Sequence, residues 1–358
     1  MITYYIVWVS VIFFAAFVVR KDYPVKDDLS YGQIEHSSAA KVYFIIASLI
    51  LILVAGLRYN VGTDYGAYSR GYRMFLDFWG SLKNLSEPSI HLIYSIAVKI
   101  HDNGQFCSFV VTAIIIGLEL RVIYKNTDNI GFALVIFLFT CWSACFNGVR
   151  QCLATAVLFC GYPALRDRKF LKYALFVFLA FLCHRSALVM ILLYFIVNRD
   201  LNAGNILFLV VSSVIVLISY EYVFRVAGII LDESVSTTAT YWGDSINRIR
   251  ILTQVAPAVF FLLVYRKREK TPQVTFYINL LLAAAVVSVV TMNSRGLGRM
   301  SMYMTPFVVI SIAELIKIYR DKNLHIASII IAALYGTMEW IEVSGSSSLN
   351  NFQFQWIW

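Results

Sequence analysis

Apolar residues form twelve long runs, separated by polar segments, from one end of the chain to the other. A helix needs about 17 to 20 apolar residues to cross the roughly 30 Å hydrocarbon layer of a membrane, and most of the runs approach that length. The pattern therefore predicts an all-α polytopic membrane protein with about 12 transmembrane helices. The runs are Ile2–Val19, Val42–Leu57, Phe106–Ile123, Ile130–Phe146, Val149–Leu165, Phe170–Cys183, Ser186–Val197, Ile206–Tyr220, Ile249–Tyr265, Val274–Met292, Met300–Ile316 and Leu324–Trp340.

A further apolar segment, Ile90–Ile100, is too short to span a membrane comfortably. It follows the pair Glu87-Pro88 and ends beside polar residues. We expect a short re-entrant or interfacial helix here.

The runs Phe170–Cys183 and Ser186–Val197 form either two short helices or one long helix through His184. Two separate helices keep the basic cluster Arg266–Lys270 on the side that holds most of the other loop cations. Cytoplasmic loops carry an excess of Lys and Arg, so we favour the pair. Both chain ends then face outward, together with two longer extracytoplasmic loops at residues 58–88 and 221–247.

The composition excludes a soluble globule, because 59% of the residues are hydrophobic and only 14% are charged. We expect residues 1–358 to form a single integral membrane domain surrounded by membrane lipids. The net charge of +9 is expected from positive cytoplasmic loops and does not indicate nucleic acid. The six cysteines lie inside apolar runs without zinc-site spacing, and we expect neither a metal site nor a cofactor.

Arginine is favoured over lysine in the connections predicted to face outward, whereas the inner loops use both cations. Membrane topology does not depend on which cation is used. The planar guanidinium group, however, binds phosphate oxygens with two parallel hydrogen bonds. The outer face is therefore predicted to bind an anionic substrate.

The segment Gly56–Tyr68, GLRYNVGTDYGAY, follows an apolar run directly and places Arg58 and Asp64 at the membrane boundary. Charged groups at that depth are costly and commonly serve a ligand or an ion pair. Arg58 is a candidate ligand for phosphate, and Asp64 is a candidate base. A structural Arg–Asp pair at the end of a helix is the other interpretation.

Arg150 lies between Asn147 and Gln151 at an outer turn, and each of these polar groups needs a partner at membrane depth. We expect Arg150 to bind the substrate. The small residues Ala154 and Ala156 follow and would allow neighbouring helices to approach closely.

His184 interrupts two short helices, and an imidazole titrates near neutral pH, as a general base for a hydroxyl group requires. A hydrogen-bonded packing role is the simpler interpretation.

In the segment RGLGR, Arg295 and Arg299 flank two glycines, and two arginines on a flexible turn suit a diphosphate. A glycine-rich turn with two interfacial arginines is the other interpretation. For Glu119 and Glu314, which lie inside apolar runs, we favour a structural role.

The order of these motifs resembles the EpsG-like branch of Wzy-type polysaccharide polymerases. The resemblance rests on GLRYNVGTDYGAY, the Glu87-Pro88 entry to a short helix, FNGVRQCLATA at Phe146–Ala156, RDRKFLKY at Arg166–Tyr173, CHRSAL at Cys183–Leu188 and RMSMY at Arg299–Tyr303. It implies a glycosyltransferase of the bacterial cytoplasmic membrane that acts on undecaprenyl-diphosphate-linked oligosaccharides. A flippase and a chain-length regulator are implied as partners. The polymer would be an exopolysaccharide, a capsule or an O-antigen.

The chemistry of the candidate residues agrees with that resemblance. We expect a metal-independent displacement in a partly dry cavity that faces the periplasm or the cell exterior, in which arginines neutralise the diphosphate leaving group. Arg58, Arg150, Arg295 and Arg299 are the predicted diphosphate ligands, His184 or Asp64 is the predicted base, and Asn147, Gln151, Tyr65 and Tyr303 are expected to support the site. Two alternative functions stay open. One is another glycosyltransferase, such as an O-antigen ligase, and the other is a flippase or anion transporter. A ligase would make a single addition and a transporter would leave its substrate unchanged.

Overall fold

A computed structural model describes residues 1–21, 36–202, 204, 205, 207, 248–266, 271–292, 295–319 and 322–357. The described chain is almost entirely helical. The helices are α1 (Ile2–Lys21), α2 (Ser38–Gly56), α3 (Phe78–Lys83), α4 (Pro88–Ile100), α5 (Gly104–Asn126), α6 (Ile130–Phe137), α7 (Val149–Cys160), α8 (Tyr162–Arg166), α9 (Phe170–Phe181), α10 (Ile191–Val197), α11 (Arg248–Tyr265), α12 (Pro272–Val290), α13 (Arg295–Gly298), α14 (Ser301–Ile318) and α15 (Lys322–Gly345). Two short strands, β1 (Arg58–Tyr59) and β2 (Gln353–Phe354), pair antiparallel.

Six of the described helices are long and apolar enough to cross a membrane. These six are α1, α2, α5, α12, α14 and the part of α15 from Ile326 to Gly345. Shorter apolar helices cover most of the other predicted runs. The run Ile206–Tyr220, apart from Leu207, and the loop 221–247 lie outside the described residues. The all-α membrane class is therefore confirmed, whereas the number of twelve spans stays a prediction.

Helix α7 occupies the centre of the bundle, where it packs against α5, α9 and α14. Its residues Ala154 and Ala156 are completely buried, as expected for side chains that let helices approach closely. Further along α7, the ring of Phe159 meets the ring of Phe307 of α14 edge to face at 5.1 Å. These contacts pack α7 tightly against its neighbours.

The predicted pair of short helices around His184 is confirmed. Helix α9 ends before His184, and a 3-10 helical segment, Arg185–Met190, leads into α10. The chain folds back on itself, because the hydroxyl group of Tyr173 donates to the carbonyl of Met190 at 2.8 Å. The predicted short helix before residue 100 is also present, as α4, and begins at Pro88.

Both ends of the chain lie on one face of the bundle. The amino group of Met1 donates to the carbonyl of Asn350 at 2.8 Å, and β2 near the C-terminal end pairs with β1. The segment predicted as the first long loop is on the same face, since the amide of Gly62 donates to the carbonyl of Ser348 at 2.8 Å. This segment is packed rather than open, with β1, α3, a π-helical turn at Gly66–Arg70 and a 3-10 turn at Tyr72–Phe75.

Candidate active site

The start of α7 is bound to the Gly56–Tyr68 segment by the side chain of Asp64. Its Oδ2 accepts hydrogen bonds from the amides of Gly148 at 2.7 Å and Val149 at 3.3 Å. Asn147 makes the reciprocal contact, because its Oδ1 accepts from the amide of Thr63 at 2.6 Å. Asp64 thus supplies the acceptor that the first amides of a helix lack, and the two motifs form one unit.

Glycine is required where these two motifs meet. Gly62 has φ +93°, and a β-carbon at this position would lie 2.2 Å from the carbonyl oxygen of Phe146. Gly148, which directly precedes α7, has φ +69°. Gly62 therefore allows a close approach of two backbone segments, and Gly148 supplies the left-handed conformation that leads into α7.

Arg150 is held over the site by two side chains from earlier in the chain. Its Nε donates to the hydroxyl oxygen of Tyr68 at 2.8 Å, and its Nη1 donates to Oε2 of Glu87 at 2.5 Å. The Arg150 side chain is still 45% exposed, whereas that of Glu87 is 8% exposed. Tyr68 and Glu87 therefore orient the guanidinium group, and the exposed part of the Arg150 side chain remains accessible to a substrate.

Glu87 is the centre of the cluster. Its Oε1 binds Nδ1 of His184 and accepts from the amide of Arg185 at 3.3 Å. Glu87 adopts the left-handed backbone conformation, with φ 58°, directly before Pro88 at the start of α4, and the surrounding contacts must offset the cost of that conformation for a residue with a side chain. One buried carboxylate therefore joins the imidazole of His184 to the guanidinium group of Arg150.

Electrostatics favours an ionised carboxylate at Glu87. Burial opposes its ionisation, but the hydrogen bond and charge of His184, together with Arg150, outweigh burial and hold the pKa of Glu87 below its usual value. Burial raises the pKa of the Tyr68 phenol to about 12, against the opposing influence of Arg150. Tyr68 is therefore a neutral hydrogen-bonding partner at neutral pH.

His184 presents one ring nitrogen to the outside of the cluster. Its Nδ1 is taken by Glu87, and Nε2 has no hydrogen-bond partner among the described residues. The side chain is 30% exposed. In the neutral tautomer that carries its hydrogen on Nδ1, directed at the carboxylate, Nε2 is the nitrogen that can accept a proton.

The connection that precedes α14 closes one side of the cluster. Nε2 of Gln151 donates to the carbonyl of Arg299 at 2.8 Å. The hydroxyl groups of Ser186 and Tyr303 are 2.9 Å apart, which ties the His184 segment to α14. Arg295 begins helix α13 and Arg299 follows its last residue, so the RGLGR segment stands beside the start of α7.

Two predicted residues lie away from this cluster. Arg58 is only 3% exposed, and its Nη1 donates to the carbonyl of Ala55 at 2.5 Å and to Oγ1 of Thr112 at 3.0 Å. Its guanidinium group also lies 4.8 Å from the ring centre of Phe146. Tyr65 is buried as well, and its hydroxyl group donates to Oε1 of Gln105 at 2.6 Å.

Glu87 is not among the site residues predicted from the sequence, where it stands only as the entry to a short helix. Its one local signal is an acidic residue directly before the Pro88 that begins α4. Among the described residues, no group of three or more His, Cys, Asp or Glu side chains could hold a metal ion. The side chains that meet in the cluster are the carboxylate of Glu87, the imidazole of His184, the guanidinium group of Arg150 and the hydroxyl group of Tyr68.

The model of the EpsG family matches residues 41–356, which include every residue of the cluster. No curated protein and no solved structure matches the chain.

Proposed function

The chain belongs to the EpsG family, and from this membership and the geometry of the site we propose that it is a polysaccharide polymerase. It is a metal-independent glycosyltransferase of the bacterial cytoplasmic membrane. Its substrates are oligosaccharide repeat units linked to undecaprenyl diphosphate. It moves the growing glycan from its lipid diphosphate to the non-reducing end of the next lipid-linked unit, to build an exopolysaccharide, a capsule or an O-antigen.

The observation that carries this proposal is the position of Glu87 between His184 and Arg150. A carboxylate on Nδ1 fixes the imidazole tautomer and stabilises the imidazolium ion that forms when Nε2 takes a proton. The same carboxylate orients the guanidinium group toward the open side of the site. The carboxylate of Glu87 thus holds the proposed base, His184, next to Arg150, which is proposed to bind the anion.

Arg150, Arg295 and Arg299 are assigned to the diphosphate. Arg150 keeps N–H groups that Tyr68 and Glu87 do not use, and its side chain is partly exposed. Developing negative charge on a leaving diphosphate is stabilised by such groups in a partly dry site without a metal ion.

Arg58 and Asp64 are assigned to positioning instead. The hydrogen bonds of Arg58 are all directed into the protein, and those of Asp64 hold the first turn of α7. His184 is therefore the base of this proposal.

The proposed reaction is a direct displacement. The hydroxyl oxygen of the acceptor sugar forms a bond to the anomeric carbon of the donor glycan, and the bond from that carbon to the diphosphate oxygen breaks. The hydroxyl proton passes to Nε2 of His184, and the electron pair of the broken bond leaves on the diphosphate.

The site is proposed to face the periplasm or the cell exterior. The opposite end of the bundle holds Arg166, close to Asn126 at the end of α5, and Lys317, which pairs with Asp128. Positive charge at that end supports a cytoplasmic location for it. A flippase that delivers repeat units and a chain-length regulator are the proposed partners on this route.

The test is deletion of the gene in its host, followed by complementation and gel analysis of surface and lipid-linked glycans. We expect the deletion strain to lose the ladder of repeats and to accumulate single lipid-linked units. Wild type should restore the ladder and Arg150→Ala should not. Arg73→Ala is the matched control, because Arg73 pairs with Asp102 in an exposed ion pair that includes no residue of the cluster.

An intact ladder in the deletion strain would reject a polymerase. Loss of a single addition rather than of a ladder would identify a ligase. A ladder restored fully by Arg150→Ala would remove the arginine from the mechanism while leaving the polymerase assignment in place.

A further inference from the structure

Arg185 directly follows the proposed base, His184, and is anchored to the segment that precedes α4. Its Nε donates to the carbonyl of Leu85 at 3.2 Å, and its Nη2 donates to the carbonyl of Asn84 at 3.4 Å. The backbone amide of Arg185 donates to Oε1 of Glu87 at 3.3 Å. Both the backbone and the side chain of Arg185 are thereby bound to one short stretch of chain.

This stretch is held in an unusual backbone conformation. Leu85 has φ 48° and Glu87 has φ 58°, in the left-handed region that residues with side chains seldom adopt. A hydrogen bond from Oγ of Ser81 to the carbonyl of Ser86, at 2.7 Å, closes the turn. Such conformations persist where the surrounding contacts hold them, and they recur at ligand-binding sites. The turn therefore presents its carbonyl oxygens to Arg185 in a fixed arrangement.

The guanidinium group of Arg185 is positioned without being neutralised. Both of its acceptors are neutral carbonyl oxygens. Among the described residues, no carboxylate forms an ion pair with Arg185, and its Nη1 has no hydrogen-bond partner. The residue is exposed, and a guanidinium group has five N–H donors, of which these two bonds use only two. Arg185 is therefore an oriented cation with donors left for a ligand.

The charge balance of the cluster also requires a further cation. Glu87 and Arg150 form an ion pair, so these two side chains together carry no net charge. A diphosphate that links a lipid to a sugar carries two negative charges, and a third develops as the sugar leaves. An arginine that is already paired with a carboxylate does not balance this charge. Arg185 adds one positive charge to the cluster, on the residue next to the proposed base.

We propose that Arg185 is a further anion-binding residue of the active site and binds the diphosphate of the lipid-linked donor together with Arg150. Arg150 is anchored to the carboxylate of Glu87, and Arg185 is anchored to the carbonyls two and three positions before it. Two guanidinium groups fixed to one segment can each bind one phosphate of the same diphosphate. The inference rests on the proposed function, because it concerns the donor of that reaction.

The test is the binding of inorganic pyrophosphate to the purified full-length protein in detergent, measured by isothermal titration calorimetry. The buffer contains no divalent metal ion and has one fixed ionic strength, because salt screens exposed charges. We expect Arg185→Gln to raise the dissociation constant of pyrophosphate about tenfold, the effect of losing one charge-assisted contact. Arg185→Lys keeps the charge without the planar fork and should recover part of the affinity.

Arg73→Gln is the matched control, since Arg73 is also exposed and donates to Asp102 rather than to a residue of the cluster. It should bind pyrophosphate as wild type does. Equal affinities of wild type and Arg185→Gln, or no binding by wild type, would overturn the proposal. If Arg185→Gln does not fold, Arg185→Lys replaces it, and a dissociation constant equal to that of wild type would then overturn the proposal.

A second titration, with glucuronate, separates the diphosphate from an acidic sugar as the source of the negative charge. If Arg185→Gln loses affinity for glucuronate and keeps its affinity for pyrophosphate, Arg185 binds a sugar and the proposal is wrong. The binding measurement does not depend on polymer formation. Arg185-dependent pyrophosphate binding, in a protein whose deletion leaves the glycan ladder intact, would retain Arg185 as an anion-binding residue and reject the polymerase.

Discussion

Arg150 and Glu87 form a 2.5 Å ion pair although 63 positions separate them in the sequence. The other oxygen of the same carboxylate binds His184, which lies 97 positions after Glu87 in the sequence. Three segments that share no local pattern are thereby brought to one point. As a consequence, the orientations of the proposed base, His184, and of the anion-binding residue, Arg150, both depend on the buried carboxylate of Glu87.

Removal of the charge of Glu87 should abolish most of the activity. Glu87→Gln keeps the size of the side chain but cannot stabilise a protonated His184. We expect the rate of polymer formation to fall about 100-fold, the usual contribution of a positioned base. The measurement is the initial rate of ladder formation in membranes with matched protein levels.

Asp102→Asn is the control for that variant, since Asp102 lies in an exposed pair with Arg73. It should retain the wild-type rate. Equal rates for Glu87→Gln and wild type would show that His184 does not need the carboxylate.

The stability that Glu87 contributes should depend on pH only in the acid range. Its pKa in the folded protein is lowered from 4.5, so the carboxylate is ionised in both folded and unfolded chains above that value. Its contribution is complete there and is lost as pH falls through the folded pKa. We expect the difference in unfolding temperature between wild type and Glu87→Gln to be larger at pH 5 than at pH 3. A difference that grows toward pH 3 would contradict an ionised Glu87.

A side chain at Gly62 should destabilise the protein. Gly62→Ala places a β-carbon 2.2 Å from the carbonyl oxygen of Phe146 and requires a positive φ of an alanine. We expect a loss of about 2 kcal/mol, measured by denaturation in detergent. Gly117→Ala is the matched control, because no atom lies within 4 Å of the added carbon. Similar effects of the two substitutions would show that the contact with Phe146 does not matter.

Arg58 and Arg150 should behave differently when each is replaced by alanine. Arg58→Ala removes buried hydrogen bonds to Ala55 and Thr112, and we expect a loss of stability of about 2 kcal/mol with a lower yield of folded protein. Arg150→Ala should fold normally and lack activity, since its side chain is partly exposed. Size-exclusion chromatography and thermal unfolding separate these results. A stable but inactive Arg58→Ala would return Arg58 to the substrate site.

The membrane class, most of the helices and the break at His184 were determined by the sequence alone. Each of these features is local: a long apolar run predicts a span, and charged residues between two short runs predict an interruption. The sequence also indicated that the motifs around Asp64, Arg150, His184 and Arg299 belong together. The structure joins the first three through Glu87 and through the first turn of α7.

Only the tertiary structure decided which polar groups meet. Arg58 precedes a polar segment and resembles a substrate ligand in the sequence, yet it is directed inward to Thr112 of α5. The carboxylate of Asp64 accepts hydrogen bonds from backbone amides of another segment. Glu87, which has no distinctive local sequence pattern, lies at the centre of the site. The physical reason is that a buried polar group must find its partner across the bundle, and the distance along the chain does not determine that partner.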